Sequence, residues 1–287
     1  MADEGSNRRL IFISGLSGAG KSVVLHTLED LGFYCIDNLP VSLMDGLTEQ
    51  IESLPESLAI GIDSRNLAGE LEDFPEVINK LKRHGINCEV IFLDAANEVL
   101  TKRFSETRRK HPLSSGQASL DDAIKKDRGI LSPLSDIADI RIDTSHTNIH
   151  DLRKLIIDRI VPKKTGILSV QLVSFGYKHG TPRDADFIFD VRCLPNPYWE
   201  KTLRRYSGKD RPVIDFLDQQ PLVNHMIEHL YSFLREWVPY FEAEQRSYLT
   251  IAVGCTGGRH RSVYIIDKLA EKLAVTRRNL LVRHRDL

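Results

Sequence analysis

The chain has 287 residues, of which 41% are hydrophobic and 28% are charged, and its formal net charge is −1. This length corresponds to about two domains of ordinary size. No segment approaches the roughly 20 apolar residues that a membrane span requires, and residues 1–9 lack the apolar core of a signal peptide. The four cysteines form no C-x-x-C pair, which indicates reduced thiols. We therefore expect a cytoplasmic protein without a membrane partner.

The first half of the sequence alternates short apolar runs with amphipathic stretches. Strands are predicted over 10–13, 33–36, 58–62, 90–93 and 140–142. Helices are predicted over 21–31, 40–53, 70–84, 96–110, 119–130 and 148–160. Strands separated by helices form a parallel sheet that helices cover on both faces. The pattern predicts a P-loop kinase-like α/β domain over residues 1–162.

A glycine-rich loop joins the first predicted strand to the first predicted helix and matches G-x-x-x-x-G-K-[ST]. In such a loop the backbone N–H groups surround a di- or triphosphate, and the helix N-terminus adds a positive dipole end. Lys21 is expected to reach the outer phosphates, as a catalytic group, and Ser22 to bind Mg²⁺. The predicted nucleotide-binding residues are Gly15, Leu16, Ser17, Gly18, Ala19, Gly20, Lys21 and Ser22.

Three aspartates follow predicted strands of this domain: Asp37, Asp63 and Asp94. Side chains at the carboxyl ends of parallel strands point into the ligand crevice, so each carboxylate is placed to hold Mg²⁺ or to orient an attacking group. Each could equally cap a turn. We take Asp37, with Lys21, as the catalytic pair.

A basic segment, 107–113, follows the predicted helix that contains Lys102 and Arg103. Arginines in such a segment could close as a lid over a transferred phosphoryl group, or could complement the dipole of their own helix. The first reading leaves a small-molecule kinase open as an alternative function.

Residues 161–166, Val-Pro-Lys-Lys-Thr-Gly, have the composition of a linker. A second, smaller α/β domain is predicted over 163–287. Its predicted strands cover 167–175, 187–191, 248–253 and 279–282, and its predicted helices cover 213–219, 221–238 and 261–274.

The second domain carries a second loop between a strand and a helix, at 253–262. Its spacing, Cys255-x-x-Gly258-x-x-Arg261-Ser262, coincides with the signature of cysteine phosphatases, in which a thiolate attacks phosphorus. Gly254 stands where that signature places a histidine, which favours a loop that holds phosphate without hydrolysing it. A basic excess begins at residue 259, and RNA is one source of phosphates for it. The candidate phosphate- or RNA-binding residues are His179, Asp190, Cys255, Gly257, Gly258, Arg259, His260 and Arg261.

These motifs together resemble the RapZ family of bacterial RNase adapter proteins, which includes the YvcJ-like P-loop proteins. The resemblance covers both domains. Its matching stretches are 15–22, 31–40, 63–66, 107–115, 174–180, 184–186, 189–197 and 254–264.

The resemblance implies that ATP binds at 15–22, that guanine nucleotide contacts Asp63, Ser64, Arg65 and Asn66, and that ATPase or GTPase activity is weak. It also implies a C-terminal domain, similar to a phosphofructokinase subdomain, that binds RNA and an amino-sugar phosphate. In enterobacterial members the protein presents a small regulatory RNA to an endoribonuclease and so controls an amino-sugar synthesis enzyme. The expected cofactors are ATP, GTP and Mg²⁺, and the expected partners are RNA, an endoribonuclease and further copies of the chain in a homo-oligomer.

Two features, the C-terminal stretch and one single position, depart from the enterobacterial pattern. The chain ends Arg283-His284-Arg285-Asp286-Leu287, without the lysine/arginine cluster that those members use for RNA. Tyr198 stands where they have a histidine. RNA and sugar-phosphate binding are therefore less firmly implied than nucleotide binding.

Overall fold

The computed structural model describes residues 8–44, 46, 55–65, 71, 73–114, 119–160, 168–244, 246, 248–277 and 279–287. The chain divides into two compact units, Met1–Ile157 and Asp158–Leu287. The expected linker at 161–166 lies outside the described residues, so a boundary at residue 162 stays a prediction.

The first unit is built on a five-stranded sheet whose strands are all parallel, in the order β2-β3-β1-β4-β5. The strands are β1 (Arg9–Gly15), β2 (Tyr34–Ile36), β3 (Ser57–Gly61), β4 (Asn87–Asp94) and β5 (Ile140–Asp143). The described helices are α1 (Lys21–Asp30), α2 (Phe74–Arg83), α3 (Asn97–Thr107), α4 (Leu120–Ile130), α5 (Ser132–Asp136) and α6 (Ile149–Ile160).

The central strand β1 determines where the functional loops of this unit lie. Its residues from Leu10 to Ile13 are at most 2% exposed, as expected for a parallel strand covered on both faces. Ile13 pairs with Gly61 of β3 and with Ile91 of β4, so these strands end at the same edge. The P-loop continues from the end of β1, Asp63 follows β3 and Asp94 is the last residue of β4, so all three lie along one edge of the sheet.

All five predicted strands and the parallel arrangement of the sheet are confirmed. Of the helix predicted over 40–53, Val41–Leu43 forms one 3₁₀ turn, and most of the remainder lies outside the described residues. Helix α5 was not predicted. It is only 5 residues long, too short to show a periodic apolar pattern, and it has a proline in its first turn.

The second unit contains a four-stranded parallel sheet in the order β7-β8-β6-β9. Its strands are β6 (Ser169–Gly176), β7 (Phe187–Asp190), β8 (Tyr248–Cys255) and β9 (Leu280–His284). Its described helices are α7 (Arg211–Asp218), α8 (Pro221–Ala243) and α9 (Arg261–Ala274), with 3₁₀ turns at Tyr177–His179 and Pro197–Trp199.

Helix α8 continues past the predicted end at residue 238 and contains Pro239. Proline normally ends a helix because it lacks an N–H donor. The extension places Phe241 with its ring centroid 5.6 Å from that of Phe187, against the core of this unit. Burial of this aromatic pair offsets the lost backbone hydrogen bond.

The last strand is tied to the unit by a chain of polar side chains. The Ser174 hydroxyl lies 2.9 Å from Nδ1 of His284, whose Nε2 lies 3.1 Å from Oδ1 of Asp267 on α9. The sequence of groups is that of a hydrolase triad, but Ser174 is completely buried in the central strand β6. These hydrogen bonds therefore join β9 to β6 and α9 and offer no nucleophile to a substrate.

Substitution His284→Ala should destabilise β9 by about 1–3 kcal/mol, because the buried Ser174 hydroxyl loses its partner. Hydrogen exchange of the 280–284 amides measures this local effect, with His225→Ala, an exposed histidine on α8, as the control. Unchanged protection of β9 in His284→Ala would show that the polar chain does not hold the strand.

Candidate functional site

The P-loop is seated on the backbone of strand β4. The Leu16 amide donates to the Leu93 carbonyl oxygen at 3.0 Å. Gly15 has a φ of +142°, and a Cβ placed there would lie 2.3 Å from the same oxygen. Only glycine fits both the left-handed conformation and the close approach. The loop therefore begins in a fixed position before α1 starts at Lys21.

The lysine of the motif lies over its own loop. Lys21 Nζ donates to the Gly15 carbonyl at 2.6 Å. Burial lowers the pKa of the Lys21 ammonium, and the carboxylates of Asp127, Asp63 and Asp37 oppose that shift. Ser22 is exposed in the first turn of α1, where helix amides lack intrahelical acceptors. The arrangement provides one cation, one hydroxyl and unsatisfied N–H groups to an incoming anion.

Two side chains hold the carbonyl side of the P-loop. The Arg103 guanidinium donates to the Gly18 carbonyl at 3.1 Å and to the Thr144 carbonyl at 2.6 Å. The Thr144 hydroxyl donates to the Ala19 carbonyl at 3.0 Å. The sequence pattern did not assign either role. The sequence feature that could have identified Thr144 is its position directly after β5, because the three aspartates were identified by the same kind of position after a strand.

Two of the three predicted aspartates are already bound. Asp94 Oδ1 accepts from Arg128 at 2.9 Å and from the Ala95 amide at 2.7 Å. Asp63 accepts from the Arg65 amide at 2.9 Å and from Arg65 Nε at 2.8 Å. Both carboxylates therefore take part in ion pairs. Ser64 is buried beside Asp63, and Asn66, the remaining predicted guanine contact, lies outside the described residues.

Asp37 follows β2 and differs from the other two aspartates. Its side chain is exposed, and no ion pair joins it to another residue in the described ranges. Its charge nevertheless raises the pKa of Lys21, so the two groups of the predicted catalytic pair share one electrostatic environment. The geometry leaves Asp37 accessible to a ligand at the edge of the sheet.

The basic segment after α3 is exposed except for the buried His111 and the half-buried Leu113. Arg108, in the left-handed conformation at φ 51°, ends the helix, and Arg109 and Lys110 are exposed. His111 is buried, with its ring 5.0 Å from that of Phe104. Residues 115–118 lie outside the described residues, and they include part of the loop expected after the segment. Arg109 and Lys110 remain accessible to a ligand.

In the second unit, the loop after β8 surrounds the Cys255 sulfur with polar groups. The sulfur lies 3.1 Å from the Ser262 hydroxyl oxygen and accepts from the Gly258 amide at 3.2 Å. Burial alone would raise the pKa of this thiol. The hydrogen bonds from Ser262 and Gly258, with the charge of Arg261, lower it below the ordinary value for cysteine. The surrounding groups therefore stabilise the thiolate form of Cys255 relative to that of an ordinary cysteine.

Arg261 is buried beside this sulfur and serves the fold as well. One terminal nitrogen of its guanidinium donates to the carbonyls of Arg192 at 2.8 Å and Leu194 at 2.9 Å, and the other to the Thr256 hydroxyl at 3.3 Å. Its Nε is buried and has no hydrogen-bond partner in the described part of the chain. Such an orphaned donor is the feature that an anion would satisfy.

The remaining candidates of the second site differ in accessibility. Arg259 and His179 are exposed, and Arg259 donates to the Arg205 carbonyl at 3.0 Å. His260 is buried, and burial lowers its pKa. Asp190 is held by two hydrogen bonds from Arg192 Nε, at 3.0 and 2.9 Å, and this pairing lowers the pKa of the carboxyl.

The glycines of this loop sit against strand β6. A Cβ on Gly176 would lie 2.5 Å from the carbonyl carbon of Gly257. Asp286 accepts from the Gly176 amide at 2.7 Å, and Arg285 donates to Asp286 at 2.9 Å and to the Gly180 carbonyl at 2.6 Å. The last arginine, Arg285, is therefore held against the 176–180 backbone, and its side chain is only 5% exposed.

The described residues hold neither a candidate metal cluster nor a candidate membrane span. They contain no cluster of three or more histidine, cysteine, aspartate or glutamate side chains arranged to hold a metal ion. Among the described helices, none combines the length and apolar character needed to cross a membrane.

The strand order, the all-parallel sheet and the glycine-rich loop define the first unit as a P-loop kinase-like α/β domain. Solved structures similar to this chain include shikimate kinase from Acinetobacter baumannii in complex with shikimate, at 21% identity, with 55% of this chain and 96% of that chain covered and a TM-score of 0.39. Deoxyadenosine kinase from M. mycoides is similar at 15% identity, 53% and 98% coverage and a TM-score of 0.34.

The family is established by sequence. Residues 8–164 match the RapZ-like N-terminal domain and residues 168–287 match the RapZ C-terminal domain. Proteins named nucleotide-binding protein are similar over 97% of this chain: one from Hahella chejuensis at 48% identity over 99% of its length, and one from Pseudomonas putida at 50% over 100%. The chain belongs to the RapZ family.

Proposed function

We propose that the first unit binds ATP or GTP with Mg²⁺ and hydrolyses it slowly, so that the bound nucleotide acts as a switch. The P-loop carries this proposal, because its glycine geometry, Lys21 and the start of α1 meet in one loop. The names of the similar proteins from Hahella chejuensis and Pseudomonas putida support it. In this proposal Asp63, Ser64, Arg65 and Asn66 form the guanine contact.

The donor set fits a magnesium ion that phosphate oxygens help to hold. Ser22 supplies an exposed hydroxyl, and Asp37 supplies an exposed carboxylate at the same edge of the sheet. Asp94 is paired with Arg128 and is not available without breaking that pair. Bound Mg²⁺ neutralises phosphate charge. Lys21 exchanges its hydrogen bond to Gly15 for one to the outer phosphates.

Substitution Lys21→Ala should weaken nucleotide binding by about 10- to 100-fold, because a hydrogen bond to a charged group contributes about 1.5–3 kcal/mol. Titration of a fluorescent nucleotide measures the affinity. Lys102→Ala removes an exposed lysine of α3, whose side chain is 75% exposed, and serves as the control. If Lys21→Ala bound the nucleotide with the same affinity as wild type, Lys21 would not be part of the nucleotide-binding site.

An assay of ATP consumption by the wild-type protein distinguishes the proposed slow hydrolysis from a small-molecule kinase activity. Wild type should consume ATP only slowly in the presence of candidate metabolites. Stimulation by several orders of magnitude by one compound would identify a small-molecule kinase, because positioning the acceptor supplies much of a catalyst's rate gain.

We further propose that the second unit binds phosphate groups of RNA and of an amino-sugar phosphate, as an RNase adapter that acts with an endoribonuclease. The burial of Arg261 and the exposure of Arg259 indicate that these two arginines bind different ligands. The buried Arg261 has an orphaned Nε inside the loop, which suits a small anion. Arg259 is exposed, which suits a polymer phosphate. The homo-oligomer and the cytoplasmic location remain part of the same proposal.

Substitution Arg259→Ala should weaken RNA binding across sequences and reduce the slope of log affinity against log salt by about 0.7 for single strands or 0.9 for duplex, because one counterion-releasing contact is lost. Arg261→Lys should instead abolish calorimetric binding of an amino-sugar phosphate and preserve the RNA slope. Arg235→Ala, an exposed arginine of α8, is the control. If Arg259→Ala left the RNA affinity and its salt dependence unchanged, and Arg261→Lys left amino-sugar phosphate binding unchanged, the loop would not be a phosphate site.

A second candidate function, cysteine phosphatase, is favoured by the contacts of the Cys255 sulfur with Ser262 and Gly258. The thiolate would attack phosphorus, forming an S–P bond as the P–O bond to the leaving group breaks, and water would then hydrolyse the phosphocysteine. The leaving oxygen needs a proton donor. Asp190 is a poor one, because Arg192 lowers its pKa and keeps it ionised. A pocket without turnover therefore remains the preferred proposal.

With a generic phosphomonoester we expect no hydrolysis above background from wild type or from Cys255→Ser. Ser262→Ala should raise the pKa of the Cys255 thiol, because a hydrogen bond to the thiolate is lost. The ultraviolet absorbance of the thiolate against pH, with Cys255→Ser as the blank, measures that change. Robust hydrolysis by wild type that disappears in Cys255→Ser would establish the phosphatase.

A further inference from the structure

A carboxylate from outside the P-loop is bound to one of the loop's own amides. Asp127 on α4 accepts from the Ser17 N–H through Oδ2 at 2.7 Å, although the two residues are 110 positions apart in the chain. Asp127 is 1% exposed and Ser17 is 7% exposed. The P-loop amides are the groups that bind nucleotide phosphates. In this structure one of them holds a protein anion.

The other oxygen of this carboxylate has no partner. Asp127 Oδ1 is buried and makes no hydrogen bond within the described part of the chain. A desolvated carboxylate with only one hydrogen bond is costly unless a positive charge is close. Lys21 supplies a positive charge in this environment, and Asp127 raises the pKa of Lys21 more than any other carboxylate does.

His111 lies against Asp127 without neutralising it. Its Nε2 is 3.5 Å from Asp127 Oδ2, and both side chains are at most 1% exposed. Nδ1 accepts from the Leu113 amide at 3.1 Å, so the single proton of a neutral ring sits on Nε2 and faces the carboxylate. Burial lowers the pKa of His111, which keeps the ring neutral at physiological pH. The His111 ring therefore adds no positive charge beside the Asp127 carboxylate.

Asp127 and a bound nucleotide consequently depend on the same groups, the P-loop amides and the Lys21 ammonium. Each phosphoryl group added to a nucleotide brings further negative charge toward a buried carboxylate. Repulsion between like charges is strong where water is excluded. The preference of a site for one of two ligands is the difference between their binding free energies. Repulsion from Asp127 therefore weakens binding of the nucleoside triphosphate more than binding of the diphosphate.

Resting on the proposed nucleotide binding, we propose that Asp127 determines the preference of the P-loop between nucleoside triphosphate and diphosphate. Its carboxylate disfavours the triphosphate, and triphosphate binding displaces it from the Ser17 amide. Because Asp127 lies on α4 and contacts His111, that displacement loosens α4 and the buried anchor of the basic segment, 107–113. The nucleotide state is thereby transmitted from the P-loop to the basic segment.

The test is calorimetry with a non-hydrolysable GTP analogue and with GDP, each with Mg²⁺, repeated with the adenine pair. Asp127→Asn removes the charge and keeps an oxygen acceptor for Ser17. We expect it to raise triphosphate affinity relative to diphosphate by about tenfold or more, given the strength of charge interactions away from water. Asp127→Glu keeps the charge and should keep the wild-type ratio. Asp121→Asn, an exposed aspartate on the same helix, should leave the ratio unchanged.

Hydrogen exchange on wild type gives an independent measurement that needs no variant. The triphosphate analogue, and not the diphosphate, should speed exchange of the α4 amides. An unchanged ratio in Asp127→Asn, or equal α4 protection with both nucleotides, would overturn the inference. Loss of hydrolysis in Asp127→Asn with an unchanged ratio would identify Asp127 as a catalytic base instead. If no nucleotide bound wild type, the proposed function itself would fail.

Discussion

Both candidate sites depend on a close backbone contact that only glycine permits. In the first unit, Gly15 lies so near the Leu93 carbonyl that a Cβ would approach it to 2.3 Å. In the second unit, a Cβ on Gly176 would approach the Gly257 carbonyl carbon to 2.5 Å. No rotamer change can relieve a clash between two stretches of backbone. These contacts fix each loop at the carboxyl edge of its sheet, and every side chain in the sites is positioned relative to them.

Several charged groups at these two sites are already hydrogen-bonded within the fold. Lys21 donates to Gly15, Asp94 accepts from Arg128, and Arg261 donates to two carbonyls of the 192–194 turn. An arriving phosphate therefore exchanges one set of hydrogen bonds for another, and the net gain is smaller than the number of contacts suggests. Arg261 Nε and Asp127 Oδ1 are buried atoms with unused hydrogen-bonding capacity. A ligand that approaches such atoms changes the free energy of the site most.

The strands could be predicted from the sequence because parallel strands are buried on both faces and appear as continuous apolar runs. All nine described strands occur where apolar runs placed them. The ends of helices were less predictable. Helix α8 continues through Pro239 because Phe241 packs on the core, a tertiary contact that local proline chemistry does not reveal. Helix α5 is too short to leave a pattern.

The sequence by itself determined the P-loop, the Cys255–Ser262 loop and their strand–loop–helix settings, because those motifs depend on local backbone geometry and spacing. Only the tertiary structure decided which charges meet. Asp127 is 110 residues from Ser17, and Arg128 is 34 residues from Asp94. It also showed that Arg285, in a basic C-terminal stretch, is buried against Asp286. Burial and long-range pairing depend on how elements pack, and no local pattern in the chain encodes which helix will face a given loop.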